Sequence, residues 1–542
     1  MSTSTNNNGT WFSMPRNVGK AAVKPAGARL EQRMKRGCGH TRGINAEISV
    51  QPRLIMFFRI PQSRHVLGPR EHAILGDLNA SQFRWRPSCV GKAMSFSPFH
   101  REVRNMQHKA SSNDSPSRRD FHRLSASLTA AGVAAYDGLS LTRSAFAGAV
   151  DTIKVGLIGC GGRGTGAAKN ALRADPGVRL TAVGDAFEDR LEIAVQSLSQ
   201  IEDIATRVDL PKERQFVGFD AYQKVIDSGV DVVLLCTPPH FRPMHLKAAV
   251  AANKHAFVEK PVAVDAPGVR SVLATCEEAR KRNRSIVSGL CLRYHNAFQE
   301  AARQIHSGAI GDVHTLQAND YRGPIWVRTR QPDWTDMHWQ MRNWYYFTWL
   351  SGDFNVEQHI HFLDTAIWMF GNEYPIKAVG MGGRTVRDGK DHGNIYDHHS
   401  VVYEFKNGAK LFSNTRQMAD CFTDLSVQVV GSKGRANLSE RKKGVWIQGA
   451  DPWTFTDETN DIYQTEHDDL FQSIRKGTAI NHGEYMSKST LLAIMGRMAT
   501  YTGKSITWEM AMNSKQDLSP EKYEWGPLPS PEIARPGETE FA

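Results

Sequence analysis

Glu357, His361 and Asp364 stand at i, i+4 and i+7 in a stretch, 354–370, whose character predicts a helix closed by Gly371. That spacing puts all three on one helix face. A carboxylate one turn from an imidazole orients the ring and raises its basicity, and histidine is the side chain best suited to moving protons near neutral pH. Oxidising a secondary alcohol needs such a base for the hydroxyl proton while a hydride leaves carbon. An acid–histidine pair on a helix is equally at home as a surface or capping contact, so it acquires meaning only beside a hydride acceptor.

A site for that acceptor is written in "VGLIGCGGRGTG", Val155 to Gly166. The apolar run "TIKVGLIG" predicts a buried strand, and "TGAAKNALRAD" predicts a helix. Between them lies Gly159-x-Gly161-x-x-Gly164, with Gly162 and Arg163 inside the loop. The first glycine allows the tight turn, the second lets backbone approach a pyrophosphate, and the third lets helix pack on strand. A second strand, "VRLTAVGD", ends in Asp185, 21 residues after Gly164. An acid there accepts hydrogen bonds from ribose hydroxyls and repels a 2′-phosphate, which favours NAD, while Arg190 leaves NADP open. A third strand runs into Thr237-Pro238-Pro239, where a loop would cover the cofactor. Strands and helices keep alternating through "HAFVEKP" and "SIVSGLCLRYH", which argues for a doubly wound parallel sheet.

The ordered set of this glycine loop, "TPPH" at 237–240, "EKP" at 259–261, "SGAIGDV" at 307–313 and "GDFNVEQHIHFLDTAIWMFG" at 352–371 resembles the Gfo/Idh/MocA oxidoreductase family over roughly residues 150–510. The resemblance implies an α/β protein: an N-terminal Rossmann domain, then a C-terminal α/β domain with a large open, mostly antiparallel sheet that commonly serves oligomerisation. It implies sugar or cyclitol substrates and NAD(P), with His240, Glu259 and Lys260 at the cofactor. Lys260 would contact both nicotinamide ribose and substrate hydroxyl and polarise the reacting oxygen, and His361 would be the base. Glu357 would position substrate or His361, and Asp364 would orient from behind. Two positions depart from the family pattern: Glu357 replaces an aspartate and His359 a glycine, and both reshape the pocket. The same fold also hosts NAD-dependent glycosidases that work by transient oxidation and elimination; the retained "EKP" favours the oxidoreductase. A non-catalytic sugar-binding module would lack Lys260 or the acid–histidine pair.

Metal is the rival explanation of Glu357, His359 and His361, with Asp397, His398 and His399 similar in type. His359 and His361 at i, i+2 point to different helix faces, which disfavours joint ligation. The stretch 331–353 carries Trp334, Trp339, Trp344, Trp349, Tyr345 and Tyr346, which suits either stacking on sugar rings or a second-domain core. Arg342 and Trp344, with Arg293 and Tyr294 at the domain junction and His398, are the candidates for touching substrate.

The net charge of +11 sits in one place: residues 1–147 hold 22 Lys and Arg against 8 Asp and Glu, whereas the remainder holds 45 against 48. A nucleic-acid role for the main body thereby loses its electrostatic support. Seven scattered cysteines form no CxxC pair, so neither a disulfide framework nor a thiolate zinc site is expected. No apolar run is long enough for an ordinary membrane span. Arg118-Arg119, an apolar stretch at 126–135 and Ala145-Phe146-Ala147 resemble a Tat export signal, with Gly148 as first mature residue and the periplasm as destination. The expected organisation is a disordered extension (1–105), with translation starting near Met106, then a signal (106–147), a dinucleotide domain (148–292), a substrate and oligomerisation domain (293–510) and an extended tail (511–542). Export with cofactor already inserted implies a tightly bound NAD, and the open sheet implies a homo-oligomer.

Overall fold

A computed structural model describes residues 151–542. The signal-like segment and the extension before it lie outside the described residues. β1 (Ile153–Ile158), "IKVGLI", is buried at five of its six positions, which only a central strand covered on both faces achieves. It leads through the glycine loop into α1 (Gly162–Ala174) and β2 (Val178–Asp185). The alternation continues with α2 (Glu188–Ser199), β3 (Gln215–Val217), α3 (Ala221–Asp227), β4 (Val232–Leu235), α4 (Arg242–Ala251), β5 (His255–Val258), α5 (Ala266–Lys281) and β6 (Ile286–Ser288). These six strands pair in parallel in the order β3-β2-β1-β4-β5-β6. The order reverses between β1 and β4, and a crevice for a ligand opens at such a switch point.

After α6 (Asn296–His306) the chain builds a second sheet from β7 (Val313–Arg322), β8 (Lys377–Gly383), β9 (His398–Glu404), β10 (Lys410–Gln417), β11 (Asp424–Gly431), β12 (Gly434–Leu438), β13 (Trp446–Gln448), β14 (Trp453–Thr454) and β15 (Ile506–Thr507). Nine strands run β14-β13-β12-β11-β7-β10-β9-β8-β15, antiparallel except where β10 meets β7. Between β7 and β8 lie α7 (Asp336–Arg342), α8 (Thr348–Ser351), α9 (Phe354–Glu357) and α10 (Ile360–Met369). One face of this sheet packs Leu316, Ala318, Val401, Tyr403, Leu411, Val427 and Val429 into the core, whereas Val379, Met381, Phe412 and Val430 on the other face meet solvent. Among the described residues no helix is long and apolar enough to cross a membrane.

One feature departs from expectation: the helix expected over 354–370 is broken after Glu357, for a reason that lies in the site. The tail segment is hydrogen-bonded to both halves of the described chain, as when Gln340 donates to the Leu528 carbonyl and the Leu518 N–H to Asp265. The chain also returns to the first sheet late. α11 (Ile462–Lys476) lies against α1, with Arg475 bidentate on Asp175 at 2.7 and 2.8 Å. On α12 (Gly483–Thr502), Arg497 is fully buried and donates to the carbonyls of Val264 and Gly352 at 2.8 and 3.0 Å, tying the loop after β5 to the turn before α9. Arg497→Met leaves both carbonyls without a donor and is expected to lower the unfolding free energy by roughly 2–4 kcal/mol, read from urea denaturation.

Candidate active site

At the first sheet's switch point the glycines show what each is for. A Cβ on Gly164 would lie 1.8 Å from the Gly159 carbonyl oxygen, and one on Gly159, whose φ is +98°, would lie 2.6 Å from the backbone of Cys236 and Thr237. Close approach of chain to chain therefore demands the first and third glycines. A Cβ on Gly161 or Gly162, by contrast, would meet nothing within 4 Å beyond its chain neighbours and its own helix. That clear space fronts the N-terminus of α1, which no side chain caps and which has no acid in its first turn. Bare N–H groups at the positive end of a helix dipole suit a pyrophosphate.

Asp185 closes β2, and its carboxylate accepts from the N–H groups of Cys160 at 2.7 Å and Phe187 at 2.9 Å. Burial pushes its pKa up against these two hydrogen bonds. The residues fit a dinucleotide: phosphate at the loop, ribose hydroxyls at Asp185. The other expected cofactor residues divide. Thr237 and Pro238 stand at the end of β4, where Arg242 donates to the Thr237 carbonyl at 2.6 Å and so shapes the loop. His240 turns instead to Tyr523, Nε2 to phenol oxygen 2.7 Å, and burial lowers its pKa to about 4. Arg163 runs beneath the loop to Glu259 and, at 2.6 Å, to Glu466 on α11. Burial opposes the Arg163 charge, but the two carboxylates outweigh it and hold its pKa above the usual value. Glu259 in turn accepts from the backbone N–H of Lys260 at 3.2 Å.

Lys260 follows β5 and reaches across to the second domain. Its Nζ donates to the Glu357 carbonyl at 2.6 Å and to Glu357 Oε1 at 2.9 Å, both side chains nearly buried. This explains the broken helix. The carbonyl that should accept the N–H of His361 is taken by an ammonium, and that N–H is left with a long 3.5 Å contact to Gln358. The expected shared face of Glu357, His361 and Asp364 is lost with the helix. Glu357 faces Lys260. Cys291 Sγ lies 3.8 Å from His361 Nδ1 instead. Asp364 is held bidentate by Arg293 at 2.8 and 2.9 Å and accepts from Ser489 at 2.6 Å. His361 is buried, and desolvation together with the charges of Lys260, Arg322 and Arg163 drives its pKa well below the ordinary histidine value.

His359 points the other way, with Nε2 2.9 Å from Ser413 Oγ. Its ring fills the space a glycine would leave and stands 3.9 Å from Asp320. Asp320, ion-paired with Arg322 on β7, keeps one buried oxygen without a hydrogen-bond partner. Of the substrate candidates, Arg293 is spent on Asp364 and stacks 4.1 Å over Tyr485, and Tyr294 is buried against His482. Arg342 is bidentate on Asp189 and lies 3.8 Å over Phe187, at the ribose end of the crevice. Trp344 remains half-buried, 6.0 Å from Trp326, and His398 is 40 % exposed beside Asp397. Trp339, Trp349, Tyr345 and Tyr346 belong to the core. Sequence reasoning missed Glu466 and the Asp320–Arg322 pair; neither stands in a motif, and only the fold brings them here.

A parallel dinucleotide sheet whose Lys260 meets Glu357 of an open-sheet domain defines a nicotinamide-dependent oxidoreductase. The NAD-binding Rossmann model of the GFO_IDH_MocA oxidoreductase family matches residues 153–286, and the family's C-terminal domain model matches 298–437, together just over half of the chain. The chain belongs to the Gfo/Idh/MocA family. It is 26% identical over 286 residues to a myo-inositol 2-dehydrogenase of Thermotoga maritima, covering 52% of this chain and 74% of that one. To an inositol 2-dehydrogenase of Rhizobium meliloti it is 24% identical over 337 residues, covering 61% and 91%. Two solved structures share the fold over 66% of this chain and 100% of theirs. They are the aldose-aldose oxidoreductase of Caulobacter crescentus complexed with glycerol (TM-score 0.52, 18% identity) and a scyllo-inositol dehydrogenase of Lactobacillus casei with bound NAD(H) and scyllo-inositol (0.51, 17%).

The glycines supply a paired test. Gly164→Ala drives a methyl into the Gly159 carbonyl and is expected to lower Tm by about 3 °C or more. Gly161→Ala meets no protein atom, so Tm holds while NAD affinity falls about tenfold or more, measured by calorimetric titration.

Proposed function

We propose that this enzyme oxidises a secondary hydroxyl of a sugar or cyclitol, or in reverse reduces the corresponding ketone. The observation that carries the reading is Lys260, donating to the main-chain carbonyl and to Oε1 of Glu357 beside a buried His361 and adjoining the glycine loop. NAD, when bound, supplies the hydride acceptor. The remaining work falls to the chain. His361, unprotonated throughout the neutral range, takes the hydroxyl proton. The Lys260 ammonium turns from Glu357 toward the reacting oxygen and stabilises the negative charge that develops there. Glu357 accepts a neighbouring hydroxyl, and the unpaired Asp320 oxygen accepts another. Both the carboxylate-rich wall and the inositol dehydrogenases among the relatives support a polyol. The reading includes a cofactor that stays bound through the catalytic cycle, export to the periplasm through the twin-arginine segment, and a second copy seated on Val379, Met381, Phe412 and Val430.

Full-length protein supplied with NAD and a panel of polyols, aldoses and glycosides tests this. Reduction of NAD by a polyol or aldose supports the reading; release of aglycone with no net reduction replaces it with the glycosidase. Lys260→Met is expected to cut kcat by about 10²–10⁴-fold while NAD still binds. The pH profile has a definite sign. A base must be unprotonated to act, and the His361 pKa is lowered, so kcat/KM for oxidation should hold as pH falls through about 6.5, the ordinary histidine value. An acid limb centred there would remove His361 from the role.

A further inference from the structure

We infer that Tyr523 and Trp525, carried on the C-terminal segment 514–542, complete the adenosine end of the dinucleotide site; this rests on the reading of the glycine loop and Asp185 given above. The switch point opens between β1 and β4, and the acid placed to meet the adenosine ribose closes β2, so the adenosine half falls between the loops that follow β2 and β4. Tyr523 and Trp525 span those two loops. The Trp525 ring lies 5.2 Å from Phe187, two residues beyond Asp185, and 4.5 Å from Phe219 beyond β3. Tyr523 lies on the other side, its hydroxyl 2.7 Å from His240 Nε2 and its ring 5.8 Å from Phe241.

The segment is anchored on either side of this pair. Before it, the Leu518 N–H donates to Asp265. After it, the Gly526 carbonyl accepts from Met337 at 3.1 Å and the Leu528 N–H donates to Asp336 at 3.2 Å, both on α7. The same helix sends Arg342 to Asp189 and Phe187, so the strap and α7 close on one crest of the first sheet. A cleft of about 580 Å³ lined by Met244, Lys247, Asp265, Asp517 and Tyr523 opens beside the segment, between α4 and α5. Leu518, Tyr523 and Leu528 also pack against the aromatic cluster of the core, which fixes the position of the pair over the two loops. Trp525 stays 41% exposed although aromatic neighbours surround it, leaving ring surface on which a purine can stack.

The test uses the full chain and three ligands: NAD, ADP-ribose and nicotinamide mononucleotide. Trp525→Ala is expected to weaken NAD and ADP-ribose by about tenfold or more and leave the mononucleotide unchanged, whereas Trp525→Phe keeps most of the affinity. Hydrogen exchange on the unaltered protein should show residues 515–530 protected by NAD and by ADP-ribose but not by the mononucleotide, an outcome independent of whether any variant folds. Unchanged or tighter NAD binding in Trp525→Ala, or an exchange pattern indifferent to the adenosine half, overturns the inference. A wild-type protein that takes up no NAD overturns the reading of the site itself, which is a different result.

Discussion

Lys260 binding the main-chain carbonyl of Glu357 is the contact on which the rest of the site depends. A helix carbonyl normally closes a ring with the N–H four residues on. Here an ammonium from the other domain takes it, so the helix stops and restarts and its two halves aim differently. Glu357 is thereby turned to the lysine, while His361 lies buried near Cys291 among three positive charges. That contact ties the two domains together at the site and takes the carbonyl the helix would use, and the ammonium adds to the burial that lowers the pKa of the imidazole.

Beneath the glycine loop a second set of contacts does comparable work. Arg163 leaves a loop whose backbone is open to phosphate, passes to Glu259 and ends on Glu466, three hundred residues along the chain. Because Glu259 also receives the Lys260 N–H, the phosphate loop, the lysine and α11 are fastened to one another. Buried charges cost desolvation energy that only good partners offset, and this group supplies those partners mutually. The late return of α11 to the first sheet follows from the same need, since Arg163 would otherwise have one carboxylate to balance it rather than two.

Much of this was legible beforehand because it rests on local constraints. Gly159, Gly161 and Gly164 announce the loop, for no side chain fits where chain approaches chain or phosphate. The unbroken apolar runs of β1 and β4 announce a parallel sheet, for only burial on both faces tolerates them. The Asn407-Gly408 turn announces the β9–β10 hairpin, and Gly408 does adopt a φ of +85°. Helical spacing, by contrast, misled at 354–370, because periodicity describes an isolated segment and carries no record of a lysine a hundred residues earlier.

The amino-acid sequence alone therefore determined the dinucleotide loop, the acid that closes β2, the order of the strands' apolar runs and the two-domain plan, all properties of short segments or their succession. The tertiary structure alone decided that Glu357 pairs with Lys260 and that Asp364 pairs with Arg293. It likewise decided that His240 and Phe187 meet aromatic side chains from the far end of the chain. Those outcomes turn on which charged and polar groups find partners once water is excluded, and such pairings arise between segments whose separation in sequence says nothing of their distance in space.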